Sequence, residues 1–91
     1  MNIFDKRGAD AKGNAKVEVL SHDRVGLVNE ISSAIAASGG DIRGHHAKVF
    51  SNEKGEQLSR FIAEIAFDET QRHRLLHSLG RIKGIVSVTL Y

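Results

Sequence analysis

The chain is 91 residues long, which suffices for one small domain, and its formal net charge of +2 is too small to argue for a nucleic-acid partner. It contains no cysteine, which excludes disulfides, thiolate metal ligands and cysteine nucleophiles and fits a reducing compartment. No apolar run approaches the roughly 18 residues of a membrane span. We therefore expect a globular cytoplasmic domain that makes no membrane contact.

The first part of the chain has the composition of a tail. It combines charged residues and glycines with apolar side chains only at Met1, Ile3 and Phe4. Such a segment buries too little apolar surface to order itself. We expect residues 1–14 to be a flexible tail or linker and residues 15–91 to form the folded domain.

A strand and a helix follow the tail. Residues 15–22 alternate apolar and polar side chains, which predicts a half-buried strand. Residues 25–38 carry apolar side chains at three- and four-residue spacing, which predicts an amphipathic helix. Gly39 and Gly40 should end this helix, because the residue after a helix often needs a positive φ.

The polar loop between this strand and this helix is the candidate functional segment. Asp23 can accept hydrogen bonds from the free N–H groups of the first helical turn, and Gly26 leaves room for a ligand to approach them. A strand, a polar loop and a helix N-terminus together make a potential anion site. In the alternative interpretation, Asp23 only caps the helix, Gly26 only relieves crowding, and His22 packs at the end of the strand.

The second half of the chain predicts a hairpin, a helix and a last strand. The hairpin joins strands at 41–50 and 58–68, and Gly44 marks a bulge in the first of them. A second helix should begin at a cap formed by Asp68 or Thr70 and continue, with Ile82 on its apolar face, until Gly84 stops it. The last strand should cover 85–91, and we expect three of its side chains to face the core: Val86, Val88 and Leu90.

The order of these elements is β-α-β-β-α-β, which predicts an α+β, ferredoxin-like fold. Right-handed crossovers place two helices on one face of a four-stranded antiparallel sheet. The other face, which includes Ile62, and a proline-free edge strand remain uncovered, so we expect a homodimer. One feature opposes pairing at that edge, because four basic or titratable side chains crowd the second strand: Arg43, His45, His46 and Lys48.

Neither metal binding nor catalysis finds support in the sequence. The pair His73 and His77 has helical i, i+4 spacing, but no carboxylate pattern completes a site, and the adjacent His45 and His46 point to opposite faces of a strand. No nucleophile and base stand in a recognisable arrangement. We therefore predict no metal, no cofactor and no enzymatic activity for this chain on its own.

Nucleic-acid binding is a rival function for this type of fold, since such sheets can stack bases on exposed aromatic side chains. Here Phe61 and Phe67 share the face assigned to the core, and the strand around them lacks the glycine and aromatic spacing of that module. We therefore disfavour a nucleic-acid role.

Three stretches of the sequence carry a family resemblance, and they are Val17–Val28, Gly40–Ile42 and Ile82–Val88. They resemble the ACT domain, a small-molecule-sensing module of amino-acid metabolism, and the resemblance extends over about residues 15–91. The Asp-Arg-x-Gly-Leu loop and the Ile-x-Gly-Ile-x-x-Val ending are most similar to the C-terminal ACT domain of RelA/SpoT-type (p)ppGpp synthetase/hydrolases, also called GTP pyrophosphokinases. The resemblance implies a regulatory domain of a larger enzyme of the stringent response.

The resemblance also implies an amino acid as ligand. Its carboxylate would bind the N–H groups of Val25 to Val28, its ammonium would lie near Asp23, and its side chain would contact Leu27 and Ile42. In the family such sites commonly lie at a dimer interface, where the second strand of the neighbour closes them. The expected ligand-binding residues are His22, Asp23, Arg24, Val25, Gly26, Leu27, Val28, Asp41 and Ile42.

The sequence leaves one alternative function open. The chain could be a docking module without a small ligand, either within its parent protein or on an RNA–protein surface. The basic residues that favour this alternative are Arg43, Lys48, Arg72 and Arg74, and an ordinary solvated face would look the same.

Overall fold

The computed structural model describes residues 12–91 and has the β-α-β-β-α-β order. The sheet order is β2-β3-β1-β4, and every neighbouring pair is antiparallel. The predicted ferredoxin-like fold is therefore confirmed. None of the helices within residues 12–91 has the length and apolarity to cross a membrane. The elements are β1 (Lys12–His22), α1 (Leu27–Ala37), β2 (Asp41–Ser51), β3 (Gln57–Asp68), a 3₁₀ turn (Glu69–Gln71), α2 (Arg72–Gly80) and β4 (Ile85–Leu90).

The hydrophobic core lies between the sheet and the two helices. Phe61 on β3 is fully buried at its centre. Every second residue of β1 and β3 points into this core, as strand geometry requires. A fully buried valine, leucine, isoleucine or phenylalanine side chain stabilises the fold by about 1.5–3 kcal/mol. The helices contribute Leu27, Ile31, Ile35, Leu75 and Leu79.

The ends of the first two elements lie close to their predicted positions. β1 begins at Lys12, so the last three residues of the predicted tail belong to the sheet, and residues 1–11 lie outside the described residues. Helix α1 ends at Ala37, and Gly39 follows with φ of 84°. A glycine in this left-handed conformation ends the helix, as the sequence predicted.

The second helix is shorter than predicted. The Asp68 carboxylate accepts a hydrogen bond from the Thr70 N–H at 3.0 Å, so Asp68 caps the 3₁₀ turn that leads into α2. Helix α2 ends at Gly80, whereas Gly84 lies in the turn before β4 with φ of 91°. Ile82, which we expected on the helix, lies in this turn and still packs against the core.

One of the predicted core positions in β4 is wrong. Val86 is 53% exposed, whereas Val88 and Leu90 pack against the core together with Ile85. The pairing of β4 with β1 shifts register between Leu20 and Ser21, so simple alternation does not extend to the start of β4. Ser87 pairs with Leu20 and Ile85 pairs with Ser21, so Val86 is the extra residue of this bulge. A bulge of this kind changes the face to which the nearby side chains point.

Strand β2 is an edge strand with little cover on either face. Nine of its eleven residues are exposed, and Ile42 and Phe50 are half-buried. Its register against β3 shifts between Ile42 and Gly44, which confirms the bulge predicted at Gly44 and makes Arg43 the extra residue. The outer backbone groups of β2 are therefore available to pair with another strand.

A polar network crosses the sheet face that the helices leave uncovered. The Tyr91 hydroxyl donates to Glu18 Oε1 at 2.7 Å, and Arg60 Nε lies 2.9 Å from Glu18 Oε2. The Arg60 guanidinium in turn lies 5.4 Å from the centre of the Phe50 ring. The hydrogen bond to Glu18, together with partial burial, raises the pKa of Tyr91.

This network makes a testable prediction about the titration of Tyr91. Its phenol should ionise above the ordinary pKa of about 10, because the phenolate would lose its hydrogen bond and lie beside the Glu18 carboxylate. The chain has one tyrosine and no tryptophan, so phenolate absorbance reports this group alone. Glu18→Ala should return the pKa towards its ordinary value.

The same shift affects stability at high pH. Because the folded-state pKa is raised, the contribution of Tyr91 is fully present below the unfolded-state pKa and is lost as the pH rises through the folded-state pKa. Glu64→Ala is the matched control, since it removes a carboxylate from the same face that does not bond the Tyr91 hydroxyl. An unchanged Tyr91 titration in Glu18→Ala would contradict the prediction.

Candidate functional site

The predicted loop lies at the end of the sheet where β1 leads into α1. The residue before α1 is Gly26, with φ of 84°, and no side chain among the described residues caps this helix. The prediction that Asp23 caps α1 is therefore wrong. The left-handed turn at Gly26 places Asp23 outside the first helical turn, where its own N–H donates to the Gln57 carbonyl at 3.0 Å.

Two backbone N–H groups are free at the start of α1. The Leu27 N–H donates to the Arg24 carbonyl at 3.3 Å, and the Glu30 N–H donates to the Gly26 carbonyl at 3.0 Å. Between them, the N–H groups of Val28 and Asn29 have no acceptor among the described residues. Free N–H groups at a helix N-terminus favour an anion such as a carboxylate.

Arg24 braces the loop. Its two terminal nitrogens donate to the Glu30 carboxylate at 2.6 and 2.8 Å, and its Nε donates to the Lys83 carbonyl at 3.3 Å. The hydrogen bond from Arg24 lowers the pKa of Glu30, and the same bond raises the pKa of Arg24. The guanidinium thus connects the loop to α1 and to the turn before β4, and its donors are already engaged.

The remaining loop side chains divide into buried and exposed. Leu27 is 2% exposed and belongs to the core, so its side chain faces inward. Val25 is 97% exposed and Val28 is 36% exposed, and His22 and Asp23 are exposed as well. A cavity of about 340 Å³ beside the loop is lined by other residues, Glu30 and the segment 81–83 among them. Within one chain, residues 22–28 therefore do not line this cavity.

Asp41 and Ile42 lie at the opposite end of the sheet from the loop. In the strand register, His22 is level with Leu58 and Phe50, whereas Asp41 is level with Ala66. Asp41 and Phe50 are nine positions apart along β2, which corresponds to about 30 Å of strand. One chain therefore does not bring Asp41 and Ile42 together with residues 22–28.

Two buried serines near the loop were not among the site residues predicted from the sequence. Ser21 and Ser59 are paired on neighbouring strands, 1% and 3% exposed, on the helix-covered face close to the loop. The Ser21 hydroxyl has no hydrogen-bond partner among the described residues. Its position two residues after Val19 in an alternating strand was the available signal, since it places a hydroxyl on the inward face.

No group of three or more His, Asp or Glu side chains within the described part of the chain is arranged to hold a metal ion. The sequence matches no protein-family model, and no curated protein sequence matches it either.

Solved structures resemble the fold closely. The ACT domain from the GTP pyrophosphokinase of Chlorobium tepidum superimposes with a TM-score of 0.69 at 18% sequence identity, over 88% of this chain and 99% of that one. The chain has the fold of an ACT domain. A second similar structure is the acetolactate synthase small subunit from Thermotoga maritima, with a TM-score of 0.64 at 22% identity, over 86% of this chain and 47% of that one.

This fold is not confined to ACT domains. The 30S ribosomal protein S6 from Thermotoga maritima also has a TM-score of 0.69, at 13% identity, over 88% of this chain and 86% of that one. At such identities the likeness establishes the fold, and the function has to be argued from the site.

Proposed function

We propose that this chain is a regulatory ACT domain, not itself an enzyme, that senses an amino acid or transmits a signal between domains. The observation that carries the proposal is the pair of free N–H groups at Val28 and Asn29, held at the end of a braced, exposed loop in an ACT-type fold. This arrangement suits the carboxylate of a free amino acid.

The exposed loop residues complete the proposed set of contacts. The carboxylate of the ligand binds the N–H groups of α1, and its ammonium pairs with Asp23. His22, Val25 and Val28 contact the rest of the molecule. Arg24 and Leu27 act indirectly in this scheme, since the first braces the loop and the second anchors α1 in the core.

A second copy of the chain would close the site. If β2 pairs with β2 of another copy, the strands run antiparallel about a two-fold axis. Asp41 and Ile42 of the second copy then lie beside the Phe50 end of β2, which is the end that carries the loop. The proposed homodimer thus unites the two groups of residues that one chain holds about 30 Å apart.

The proposed parent protein is a (p)ppGpp synthetase/hydrolase of the stringent response, that is, a GTP pyrophosphokinase. The similarity to the ACT domain of such an enzyme from Chlorobium tepidum supports this assignment. A ligand that binds one arrangement of the dimer more tightly shifts the population towards it, and linked catalytic domains respond to that shift.

An amide chemical-shift titration of the chain against each of the twenty amino acids tests the proposal. We expect one class of amino acid to cause saturable shifts confined to residues 22–29 and 40–43, with the oligomeric state followed in parallel. Asp23→Asn should weaken this binding by about two- to fivefold, which corresponds to the loss of one exposed charge contact.

Glu69→Gln is the matched control for Asp23→Asn, because Glu69 lies in the turn after β3, at the opposite end of the sheet. Equal losses in the two variants would argue against a contact at Asp23. If none of the twenty amino acids causes a chemical-shift change while the chain is a folded dimer, the proposed sensor function is rejected.

The second candidate function is a docking module without a small ligand. The exposed edge of β2, with its basic side chains, and the similarity to ribosomal protein S6 favour it. RNA binding that weakens steeply with salt would support this candidate, and no binding at low salt would count against its RNA version.

A further inference from the structure

Two adjacent cavities lie at the end of the sheet opposite the loop. The larger is about 710 Å³ and the smaller about 250 Å³, and both are lined by Lys16 on β1 and Glu64 on β3. The larger extends to Tyr91 and Arg43, and the smaller reaches Gly44 on β2. We name this continuous depression, lined by these five residues, the bulge trough. Its size is that of a small-molecule site.

The bulge in β2 borders both cavities, Arg43 lining the larger and Gly44 the smaller. Gly44 pairs with Glu64, and the extra residue Arg43 bends the strand just before it. Gly44 puts no side chain on the sheet face beside Glu64, and a Cβ atom built there would meet nothing within 4 Å. A gap therefore remains at the edge of the sheet where an ordinary residue would fill the space.

The charges along the trough alternate in sign. Lys16 and Glu64 are directly opposed on neighbouring strands, yet no salt bridge joins them, and both are exposed. The Arg43 side chain is 63% exposed, and its Nε lies 3.4 Å from Asp41 Oδ2. Crossing from β1 through β3 to β2, the trough presents an ammonium, a carboxylate and a guanidinium.

A neighbouring carboxylate on the same face, unlike the charges of the trough, has all its partners within the sheet. Glu18, two residues after Lys16 on β1, is bonded to both Arg60 and Tyr91. That carboxylate is satisfied within the sheet, whereas the charges of the trough have most of their hydrogen-bonding capacity unused. Exposed opposite charges around a cavity, with donors and acceptors still unused, favour a ligand that supplies the complementary charges.

We propose that the bulge trough binds a small molecule with two acidic groups on either side of a protonated amine, as in a dicarboxylic amino acid. The two carboxylates pair with Lys16 and Arg43, and the amine pairs with Glu64. Adjacent strands are about 4.8 Å apart, so the two cations flank Glu64 at a spacing that such a molecule spans. This site is separate from the loop and does not depend on the function proposed for it.

Amide chemical-shift titrations of the full chain with L-glutamate, glutarate and L-glutamine test this site. We expect L-glutamate to cause saturable millimolar shifts at Lys16, Gly44 and Glu64, without shifts in residues 23–28. Glutarate lacks the amine and L-glutamine lacks the second acidic group, so each should bind about two- to fivefold more weakly.

Two variants separate binding from structure. Gly44→Leu should fill the trough and abolish the shifts while the fold is kept, because Gly44 lacks a positive φ and has open space around it. Glu64→Gln should remove the preference for L-glutamate over glutarate. Ser87→Leu on β4 is the control, since it adds the same side chain to the same sheet face without lining either cavity.

The results that overturn the proposal are equally specific. They are no saturable shift with L-glutamate, shifts that equal concentrations of sodium chloride reproduce, or shifts that persist in Gly44→Leu. Shifts confined to residues 22–29 and 40–43, with none at Lys16, Gly44 or Glu64, would overturn this site and support the loop as the sensor. The failure of one site is therefore distinguishable from the failure of the other.

Discussion

Phe61→Ala should lower the free energy of unfolding by about 3–5 kcal/mol. Phe61 is fully buried and, among the described residues, has the largest of the completely buried side chains. It pairs with Val19 on one side and with Ala47 on the other, and the His45 ring stacks on it with centroids 5.3 Å apart. Alanine would leave a cavity at the centre of a small core, which has few other contacts to compensate.

Urea unfolding followed by circular dichroism measures this loss. Since small domains are stable by about 5–15 kcal/mol, the variant should lose about a fifth or more of its stability and unfold at a much lower urea concentration. Val86→Ala is the control, because Val86 is 53% exposed and its truncation should cost less than about 0.5 kcal/mol. Similar losses in both variants would show that Phe61 is not the centre of the core.

Ala47→Lys should convert the proposed homodimer into a monomer. Ala47 lies at the middle of the exposed edge strand β2, on the helix-covered face. A continuous sheet across a two-fold axis pairs residues that share a face, and an axis at Ala47 brings two copies of this residue together. Two lysines there would repel each other by several kcal/mol, beside the basic His45 and Lys48, and dimerisation should weaken at least about hundredfold.

Sedimentation velocity of the wild-type chain and the variant measures this effect. Ala47 is exposed in one chain, so the monomer should keep its fold and its unfolding midpoint. Thr89→Lys is the matched control, since it adds the same charge to an exposed position of β4, the other edge of the sheet. A dimer that survives Ala47→Lys and fails in Thr89→Lys would place the interface on β4.

The site was only partly accessible to sequence reasoning. The sequence located the loop, its glycine and the helix that follows, because their signals are local. It allowed Asp23 to cap the helix, whereas the left-handed turn at Gly26 precedes the helix and no side chain among the described residues caps it. It also treated Arg24 as a ligand contact, although the partners that engage this guanidinium are Glu30 and the Lys83 carbonyl, the latter from a distant part of the chain.

The sequence by itself determined the order of elements, the helix-ending glycine after α1, the bulge at Gly44 and most of the core, since periodicity and turn chemistry act over a few residues. Only the tertiary structure decided that Val86 faces outward, that Asp41 lies far from the loop and that Lys16, Arg43 and Glu64 share a trough. These facts depend on the register between strands that are distant in sequence. A shift of one residue in that register turns every side chain of the strand to the opposite face of the sheet.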